Sequence, residues 1–377
     1  LAAHELAQEV GLVEGEEITG ILESKIYTVP DGTTTITNST IPTPYEWEKI
    51  IIPSSVTSIS SNAWNFCFSL KAFEVSEDNP YFCSDSKGYL FDKNKTTLLR
   101  VPCMGGVYSS SFSGYVVDLQ TGYSSVTAIG DYALYKCCYV TRIFMNNNIT
   151  TIGQYGVAYC RSLSMMTISS SLITIGDYAF RECTSLANPS FPDTVKSIGI
   201  GAFYRCVSFV GSPISSNTET VGNHAFNGCI SFKPLFETTF KLSTIGDYAF
   251  RQCISLPYNV GNTSMSSIGK NAFEGSSLSY LNVPSSAPIT KIANSAFLNG
   301  RLTSVDINSP TVTTIETKAF SGNIGLQEVE LASGITSIAS DAFSSCPNLK
   351  TITIYNSSGS ISGAPWGATN ATVVWAG

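Results

Sequence analysis

Apolar side chains return at a fixed interval along most of this 377-residue chain. The most regular position is an aromatic residue that directly follows Ala, with an aliphatic residue five positions before it. The aromatic residues are Phe180, Phe203, Phe226, Phe250, Phe273, Phe297, Phe320 and Phe343, and Leu134 and Val157 occupy the same phase upstream. Neighbouring members are 23 or 24 residues apart. Such a period is typical of solenoids, in which each unit is too small to bury its own apolar face and stacks on its neighbours.

Each unit contains one segment of alternating apolar and polar residues. In "LKTITIY" the apolar Ile352 and Ile354 alternate with the polar Thr351 and Thr353, which predicts a short strand with one buried face. In "AFRECTSL" and "AFSSCPNL" apolar residues lie three apart, which predicts one helical or 3-10 turn. We therefore predict an α/β repeat solenoid of about fourteen rungs, with in-register parallel strands spaced ~4.8 Å apart.

Two polar or small positions recur beside the turn. Asp131, Asp177 and Asp247 precede it, and we expect their carboxylates to cap its free N–H groups. Glycine follows the repeat aliphatic residue at Gly130, Gly153, Gly176, Gly199, Gly222, Gly246 and Gly269. Glycine at this position fits either a turn with positive φ or a close approach of two backbones.

The composition narrows the class of protein. Hydrophobic residues make up 43% of the chain, which is enough for a packed core, whereas charged residues make up only 13%. The net charge of −7 argues against a nucleic-acid partner, because phosphate binding needs a face of Lys and Arg. No run approaches the ~18 apolar residues of a membrane span. With two histidines, His4 and His224, there is little basis for a His triad or a metal site, and we predict no cofactor.

Most of the eleven cysteines share one phase of the repeat, three residues after the core aromatic position. They are Cys67, Cys137, Cys160, Cys183, Cys206, Cys229, Cys253 and Cys346. We interpret this cysteine column as buried, reduced thiols, because one Cys per rung supplies neither a tetrahedral metal site nor the Cβ geometry of a disulfide. Cys83 and Cys103 lie off the column on either side of an insertion, and a bridge between them stays open.

The units "ITTIGDYAFRECTSL", "VKSIGIGAFYRCVSF" and "ITSIASDAFSSCPNL" resemble the leucine-rich repeats of the BspA-like, or Treponema pallidum-type, family. The segment at 79–102 is similar to the interrupted unit of that family, which carries a protruding hairpin, and "GAPWGATNATVVW" is similar to its closing unit. The resemblance covers residues 26–377. It leaves residues 1–25 as an N-terminal cap or the remnant of a leader.

The resemblance implies a right-handed leucine-rich repeat superhelix, with the parallel sheet on its concave face and the short helical or 3-10 turns on its convex face. It also implies a secreted or cell-surface protein, with any signal peptide or anchor removed, that acts in adhesion or binding. We expect a monomer that does not insert this segment into a membrane.

Three functional classes remain at this point. A carbohydrate-active, β-helix-like enzyme would need paired carboxylates, and Asp306 and Glu330 are the nearest to such a pair. No phosphate-binding loop or nucleophile motif accompanies them, so we predict that the chain is not an enzyme. A structural spacer that presents another domain is the third class. We favour a binding protein that recognises a host or microbial surface protein or glycan.

The outward side chains of the predicted strands form two columns. One column includes Phe144, Thr167, Val260, Asn282, Asp306 and Glu330, and the other includes Arg142, Met165, Tyr258, Tyr280 and Glu328. Exposed aromatic residues on a rigid sheet are plausible anchors for a protein or a glycan. The candidate partner-binding residues are Phe144, Met165, Phe236, Tyr258, Tyr280, Asp306 and Glu330.

Overall fold

A computed structural model describes residues 25–105, 107–109, 114–234, 240–256 and 259–377, with the backbone alone for 107–109. The N-terminal segment expected as a cap over 1–25 therefore lies outside the described residues except for Lys25.

The described chain contains strands, turns and bends, and each regular rung contributes one or two short strands. The strands are β1 (Ile26–Thr28), β2 (Thr35–Ile36), β3 (Lys49–Ile52), β4 (Ser58–Ile59), β5 (Ala72–Val75), β6 (Phe82–Ser84), β7 (Leu90–Asp92), β8 (Thr97–Arg100), β9 (Val107–Ser109), β10 (Gly114–Asp118), β11 (Ala128–Ile129), β12 (Val140–Phe144), β13 (Thr151–Ile152), β14 (Met165–Thr167), β15 (Thr174–Ile175), β16 (Ser197–Ile198), β17 (Thr220–Val221), β18 (Thr244–Ile245), β19 (Ser267–Ile268), β20 (Tyr280–Val283), β21 (Lys291–Ile292), β22 (Ser304–Ile307), β23 (Thr314–Ile315), β24 (Glu328–Leu331), β25 (Ser337–Ile338), β26 (Thr351–Ile354) and β27 (Thr372–Trp375).

These strands form two stacks of mostly parallel pairs. We call one the long-strand ladder; it consists of β1-β3-β5, β9-β10-β12-β14 and β20-β22-β24-β26-β27. We call the other the short-strand ladder; it consists of β2-β4, β6-β7-β8-β11-β13-β15-β16-β17-β18-β19 and β21-β23-β25. Equivalent residues of successive rungs pair in register, as in Asp306 with Glu330. The predicted repeat solenoid with an in-register parallel sheet is therefore confirmed.

The predicted helical turns are wrong, because the segment around each core aromatic residue is a series of tight turns and no helix occurs among the described residues. Two residues per turn adopt the left-handed conformation, for example Tyr178 (φ 55°) and Glu182 (φ 54°), which a right-handed helix cannot contain. Alternate amides donate to the next rung, as Phe180 N does to Ala202 O at 2.7 Å and Glu182 N does to Tyr204 O at 2.8 Å. The amides between them close turns within the segment, as Arg181 N does with Tyr178 O at 3.0 Å. These turns thus form a third stack, which we call the turn column.

The core aromatic residues form one continuous stack beneath the turn column. From Phe180 to Phe343 the ring centroids of neighbouring rungs lie 5.0 to 5.4 Å apart, with interplanar angles of 14° or less. All eight rings are buried. Offset stacking of this kind adds to the free energy gained from burial, which explains why the sequence keeps an aromatic residue at this position.

The aspartates before the turn do not cap their own turn. Asp177 Oδ1 accepts a hydrogen bond from Ile200 N of the next rung at 2.8 Å, and Asp131 Oδ1 accepts one from Gln154 N at 2.7 Å. The carboxylate therefore joins two rungs. The neighbouring glycine permits this close approach: a Cβ on Gly199 would lie 2.6 Å from Asp177 N. Of the two explanations for the recurrent glycine, close backbone approach is the one that the structure supports.

The segment at 79–102 interrupts the repeat. β6, β7 and β8 form an antiparallel meander, and β8 then pairs parallel to β11, so the insertion joins the short-strand ladder. Among the described residues the hydrophobic core forms two clusters, an N-terminal one from Val29 to Leu90 and a larger one from Tyr89 to Ala368. Leu90 of the meander belongs to the N-terminal cluster, whereas Tyr89 and Phe91 belong to the larger one.

The long-strand ladder is also interrupted, between β14 and β20. Pro189, Pro213 and Pro234 fall in this interval, and proline has no amide hydrogen to donate to a ladder. Pro189 lies one 23-residue period after Met166 of β14, at the position where the next strand would continue the sheet. The long-strand ladder is therefore divided into three sheets; we call the outward side of β9-β10-β12-β14 its first face and that of β20-β22-β24-β26-β27 its second face.

Candidate interaction surfaces

The cysteine column lies in the core and has a structural role that the sequence did not reveal. Each regular thiol donates to the carbonyl of the core residue one rung earlier, as Cys206 Sγ does to Phe180 O at 2.9 Å and Cys183 Sγ does to Val157 O at 3.1 Å. Asn323 takes the cysteine position once, and its Nδ2 makes the equivalent bond to Phe297 O at 2.8 Å. Burial raises the pKa of the Cys206 and Cys183 thiols well above the ordinary value. All eleven cysteines are free thiols.

A buried charge lies where the meander meets the regular rungs. Arg100 is 1% exposed, and it donates to Tyr132 O at 2.6 Å and to Tyr135 O at 3.1 Å. In a regular rung the carbonyl equivalent to Tyr135 O accepts a hydrogen bond from a backbone amide of the preceding rung, as Tyr204 O does from Glu182 N. The interrupted unit lacks this turn, and the Arg100 guanidinium supplies the hydrogen-bond donor that the turn would provide.

The acidic partner of this guanidinium is a thiol. Arg100 Nη2 lies 3.2 Å from Cys103 Sγ, and Cys137 Sγ donates to the same sulfur at 3.3 Å. The hydrogen bond from Cys137, with the charge and hydrogen bond of Arg100, lowers the pKa of Cys103 from 9.0 to about 6. Cys103 contacts Cys137 and Arg100, whereas Cys83 Sγ donates to Asp92 O at 3.3 Å. Cys83 and Cys103 therefore do not form a disulfide bridge.

The first face of the long-strand ladder carries two of the candidate binding residues. Met165 is 46% exposed, and its Sδ lies 2.8 Å from Arg142 Nη1 on the neighbouring strand. Phe144 is partly exposed and pairs with Asp118 and Thr167. The pairing of Arg142 with Met165 and of Phe144 with Thr167 is the one that the 23-residue spacing predicts.

The second face carries three more candidates. Tyr280, Asp306 and Glu330 lie on β20, β22 and β24, and Tyr280 Oη donates to Asp306 Oδ2 at 3.3 Å. Asp306 pairs directly with Glu330, and Tyr355 Oη donates to Glu330 Oε2 at 3.4 Å. The structure therefore brings these three residues together, at a distance along the chain from Phe144 and Met165.

Two candidates, Phe236 and Tyr258, lie outside the described residues. The prediction that Val260 points outward beside Asn282 is wrong, because Val260 is fully buried. An isolated bridge pairs Asn259 with Tyr280, which shifts the register by one residue from the predicted pairing of Tyr258 with Tyr280. A shift of one residue transfers a side chain to the opposite face of a strand.

The turn column carries a surface that the sequence analysis missed. Half-buried aromatic rings follow its outer edge for six rungs; we call them the tyrosine stripe, and they are Tyr132, Tyr135, Tyr155, Tyr159, Tyr178, Tyr204, His224 and Tyr248. Neighbouring rings stack, with centroids 5.0 Å apart for Tyr132 and Tyr155 and 4.8 Å for Tyr155 and Tyr178. The sequence contains a signal for this stripe, because Tyr132, Tyr155 and Tyr178 follow one another at intervals of 23 residues.

Backbone strain marks several members of the tyrosine stripe. Tyr132, Tyr155, Tyr159, Tyr178 and Tyr248 all have φ between 52° and 62°. A left-handed conformation costs a bulky residue roughly 1–2 kcal/mol, whereas glycine adopts it freely. Stacking between rungs offsets part of this cost.

Cations accompany the stripe. The Arg181 guanidinium lies 4.6 Å from the Tyr204 ring centroid and 5.6 Å from that of Tyr178, and Lys136 Nζ lies 5.3 Å from that of Tyr135. Within the described ranges, no three His, Cys, Asp or Glu side chains are grouped closely enough to hold a metal ion. Nor do these ranges contain a helix of the length and hydropathy that crossing a bilayer requires.

Comparison with known proteins identifies the repeat. The family model described as "BspA type Leucine rich repeat region (6 copies)" matches residues 20–114, 106–233 and 237–366. No curated protein gives a significant match.

Several solved structures are similar to this chain. A leucine-rich repeat protein from Eubacterium ventriosum is 25% identical with a TM-score of 0.54, over 66% of this chain and 64% of that one. A leucine rich cell surface protein from Faecalibacterium prausnitzii is 22% identical with a TM-score of 0.44, over 90% of this chain and 89% of that one. The T. pallidum leucine rich repeat protein is 21% identical with a TM-score of 0.38, over 53% of this chain and 88% of that one. This chain thus aligns with slightly less than two thirds of the E. ventriosum protein.

Proposed function

This chain belongs to the BspA-type leucine-rich repeat family, and from that premise we propose that it is a non-catalytic cell-surface protein that binds a surface protein or glycan of a host or another microbe. Repeat proteins of this type are generally binding or adhesion proteins and are typically found at the cell surface. We assign the binding to the second face of the long-strand ladder, which the resemblance to the family implies to be concave.

One observation supports this assignment: the in-register pairing of β22 with β24 places Asp306 beside Glu330, and the Tyr280 hydroxyl reaches Asp306 diagonally from β20. On β20 the residue paired with Asp306 is Asn282, and Tyr280 lies two residues before it on the same strand. Buried backbone pairing fixes their spacing, so little conformational entropy is lost when a partner binds. Aromatic residues on such rigid surfaces are frequent binding hot spots.

The same residues give weak support to catalysis. A glycosidase places its two carboxyl groups on either side of a bound sugar, ~5–9.5 Å apart. Asp306 and Glu330 instead lie side by side on adjacent strands of an exposed face, and a tyrosine hydroxyl bonds each of them. This arrangement suits recognition of a partner that offers hydrogen-bond donors or positive charge.

Binding of the intact protein to arrays of extracellular-matrix proteins and glycans tests the proposal. Tyr280→Ala should weaken binding by about 1–2 kcal/mol without changing the thermal unfolding midpoint. Tyr81→Ala is the matched control, because Tyr81 is 52% exposed but lies beside the meander strand β6. If Tyr81→Ala abolishes binding and Tyr280→Ala does not, the insertion is the binding site. Cleavage of an arrayed polysaccharide would instead favour the enzyme.

A further inference from the structure

A cavity of about 450 Å³ opens on the tyrosine stripe next to the interruption of the repeat. Its walls are Tyr135, Lys136, Cys138, Tyr159 and Arg161. Cavities of several hundred Å³ are the usual size of small-ligand sites. This one combines two aromatic rings, two cations and a thiol on two adjacent turns, and it is separate from the long-strand face proposed above.

The aromatic walls form a corner. The Tyr135 and Tyr159 rings lie 5.4 Å apart with an interplanar angle of 83°. A flat, partly apolar ligand in this corner meets the face of one ring and the edge of the other. The backbone holds the corner rigidly, because Lys136 N donates to Ala158 O at 2.9 Å and Tyr159 N donates to Arg181 O at 2.7 Å. Aromatic corners of this kind suit the C–H face of a pyranose ring.

The charge of the corner is positive, although the chain as a whole is negative at −7. Lys136 Nζ lies between two rings, 5.3 Å from the Tyr135 centroid and 5.7 Å from that of Phe68, and no described carboxylate lies within salt-bridge distance of it. Arg161 is 58% exposed and pairs with Glu182 at 2.6 Å. The Arg181 guanidinium also lies 5.8 Å from the Tyr159 ring centroid, so three cations and one carboxylate leave a net positive charge that favours an anionic ligand.

The Cys138 thiol does not repel a bound anion. Cys138 Sγ donates to Tyr159 O at 3.4 Å, and burial raises the pKa of Cys138 above 9.0, so this side chain stays neutral at physiological pH. The side chains that line the cavity are therefore cations, aromatic rings and one neutral donor, and the neighbouring Glu182 carboxylate is paired with Arg161.

We propose that this corner binds a carboxylated sugar, with the carboxylate at Lys136 and Arg161 and the pyranose ring against Tyr135 and Tyr159. The combination of net positive charge with a rigid aromatic corner selects this ligand class over neutral sugars, which leave Lys136 without a counter-ion. It also selects against flexible acidic peptides, which gain less from the ring faces. Sialic acids and hexuronates share the required chemistry.

Surface plasmon resonance on the full chain tests this site with two probes, 3′-sialyllactose and tetragalacturonate. Their neutral counterparts are lactose and the methyl ester of tetragalacturonate. At least one carboxylated probe should bind about tenfold or more tightly than its neutral counterpart, and added salt should weaken its binding. Lys136→Met, which keeps the length of the side chain, should lower that affinity by about tenfold. Lys270→Met is the matched control, because Lys270 Nζ lies 5.9 Å from the Tyr248 ring on the same stripe but outside the cavity.

Three results would overturn the site: no binding of either carboxylated probe, equal binding of the neutral counterparts, or unchanged affinity in Lys136→Met. Binding of polyglutamate as tight as that of the sugars would reassign the corner to acidic peptides. Tyr280→Ala should leave this interaction unchanged, so failure of the corner and failure of the long-strand face can be told apart.

Discussion

Arg100 Nη2 and Cys103 Sγ lie 3.2 Å apart in the core, at the interruption of the repeat. Arginine does not lose its proton in proteins, and a buried charge requires a partner. In the described part of the chain no carboxylate forms a salt bridge with Arg100. Cys103 Sγ is the acidic group that contacts the guanidinium, and the lowered pKa of this thiol favours its thiolate form as the counter-ion.

The first prediction concerns pH. The pKa of Cys103 falls from 9.0 in the unfolded chain to about 6 in the folded one, so its contribution to stability is complete above pH 9 and is lost as pH falls through 6. Between these values the unfolded state holds one more proton, and the free energy of unfolding should rise with pH. Urea unfolding of the wild type across this range, compared with Cys103→Ser, measures the effect. Cys206→Ser is the control that keeps the slope, and an identical slope in Cys103→Ser would contradict the prediction.

The second prediction concerns the guanidinium. Arg100→Met should lower the free energy of unfolding by about 3–5 kcal/mol, because it leaves a buried thiolate and the carbonyls of Tyr132 and Tyr135 without their partner. Arg205→Met removes an exposed guanidinium 6.0 Å from the Tyr204 ring and should cost under about 1 kcal/mol. Equal losses in the two variants would show that Arg100 is not the donor that replaces the missing turn.

The third prediction concerns the cysteine column. Cys206→Ser keeps a donor for Phe180 O, whereas Cys206→Ala removes it and leaves a small cavity. We expect the serine variant to lose about 1 kcal/mol and the alanine variant about 1–3 kcal/mol. Denaturant midpoints at constant m-value compare the two. A serine variant less stable than the alanine variant would mean that packing of the sulfur, and not its hydrogen bond, decides the position.

The fourth prediction concerns thiol reactivity. Cys183 and Cys206 are fully buried and burial raises their pKa values, so both should resist maleimide labelling in the folded state and react after unfolding. Cys83 and Cys138 are partly exposed and should be labelled first, although burial raises their pKa values too. Peptide mapping by mass spectrometry gives the order. Labelling of Cys206 before Cys83 would disagree with the structure.

The sequence by itself determined the repeat and much of its pairing. A period of 23 or 24 residues places equivalent residues one above the other, and because strand side chains alternate strictly, the same period predicts which neighbours touch. The pairs Arg142 with Met165 and Asp306 with Glu330 follow directly from it. The burial of the cysteine column follows for the same reason.

Tertiary structure alone decided the conformations and contacts that depend on neighbouring rungs. Residues such as Tyr178 adopt left-handed dihedrals because their amides bond the next rung, and local propensity, which favours a helical turn, cannot include that bond. Val260 changes face because the register shifts by one residue at an irregular rung. Arg100 is distant in sequence from Trp64 and Tyr135, whose carbonyls it bonds, and only the folded interruption brings them together. The 23-residue period predicts the features that recur in every rung. The conformations and contacts of these positions depend instead on irregular rungs and on hydrogen bonds between neighbouring rungs.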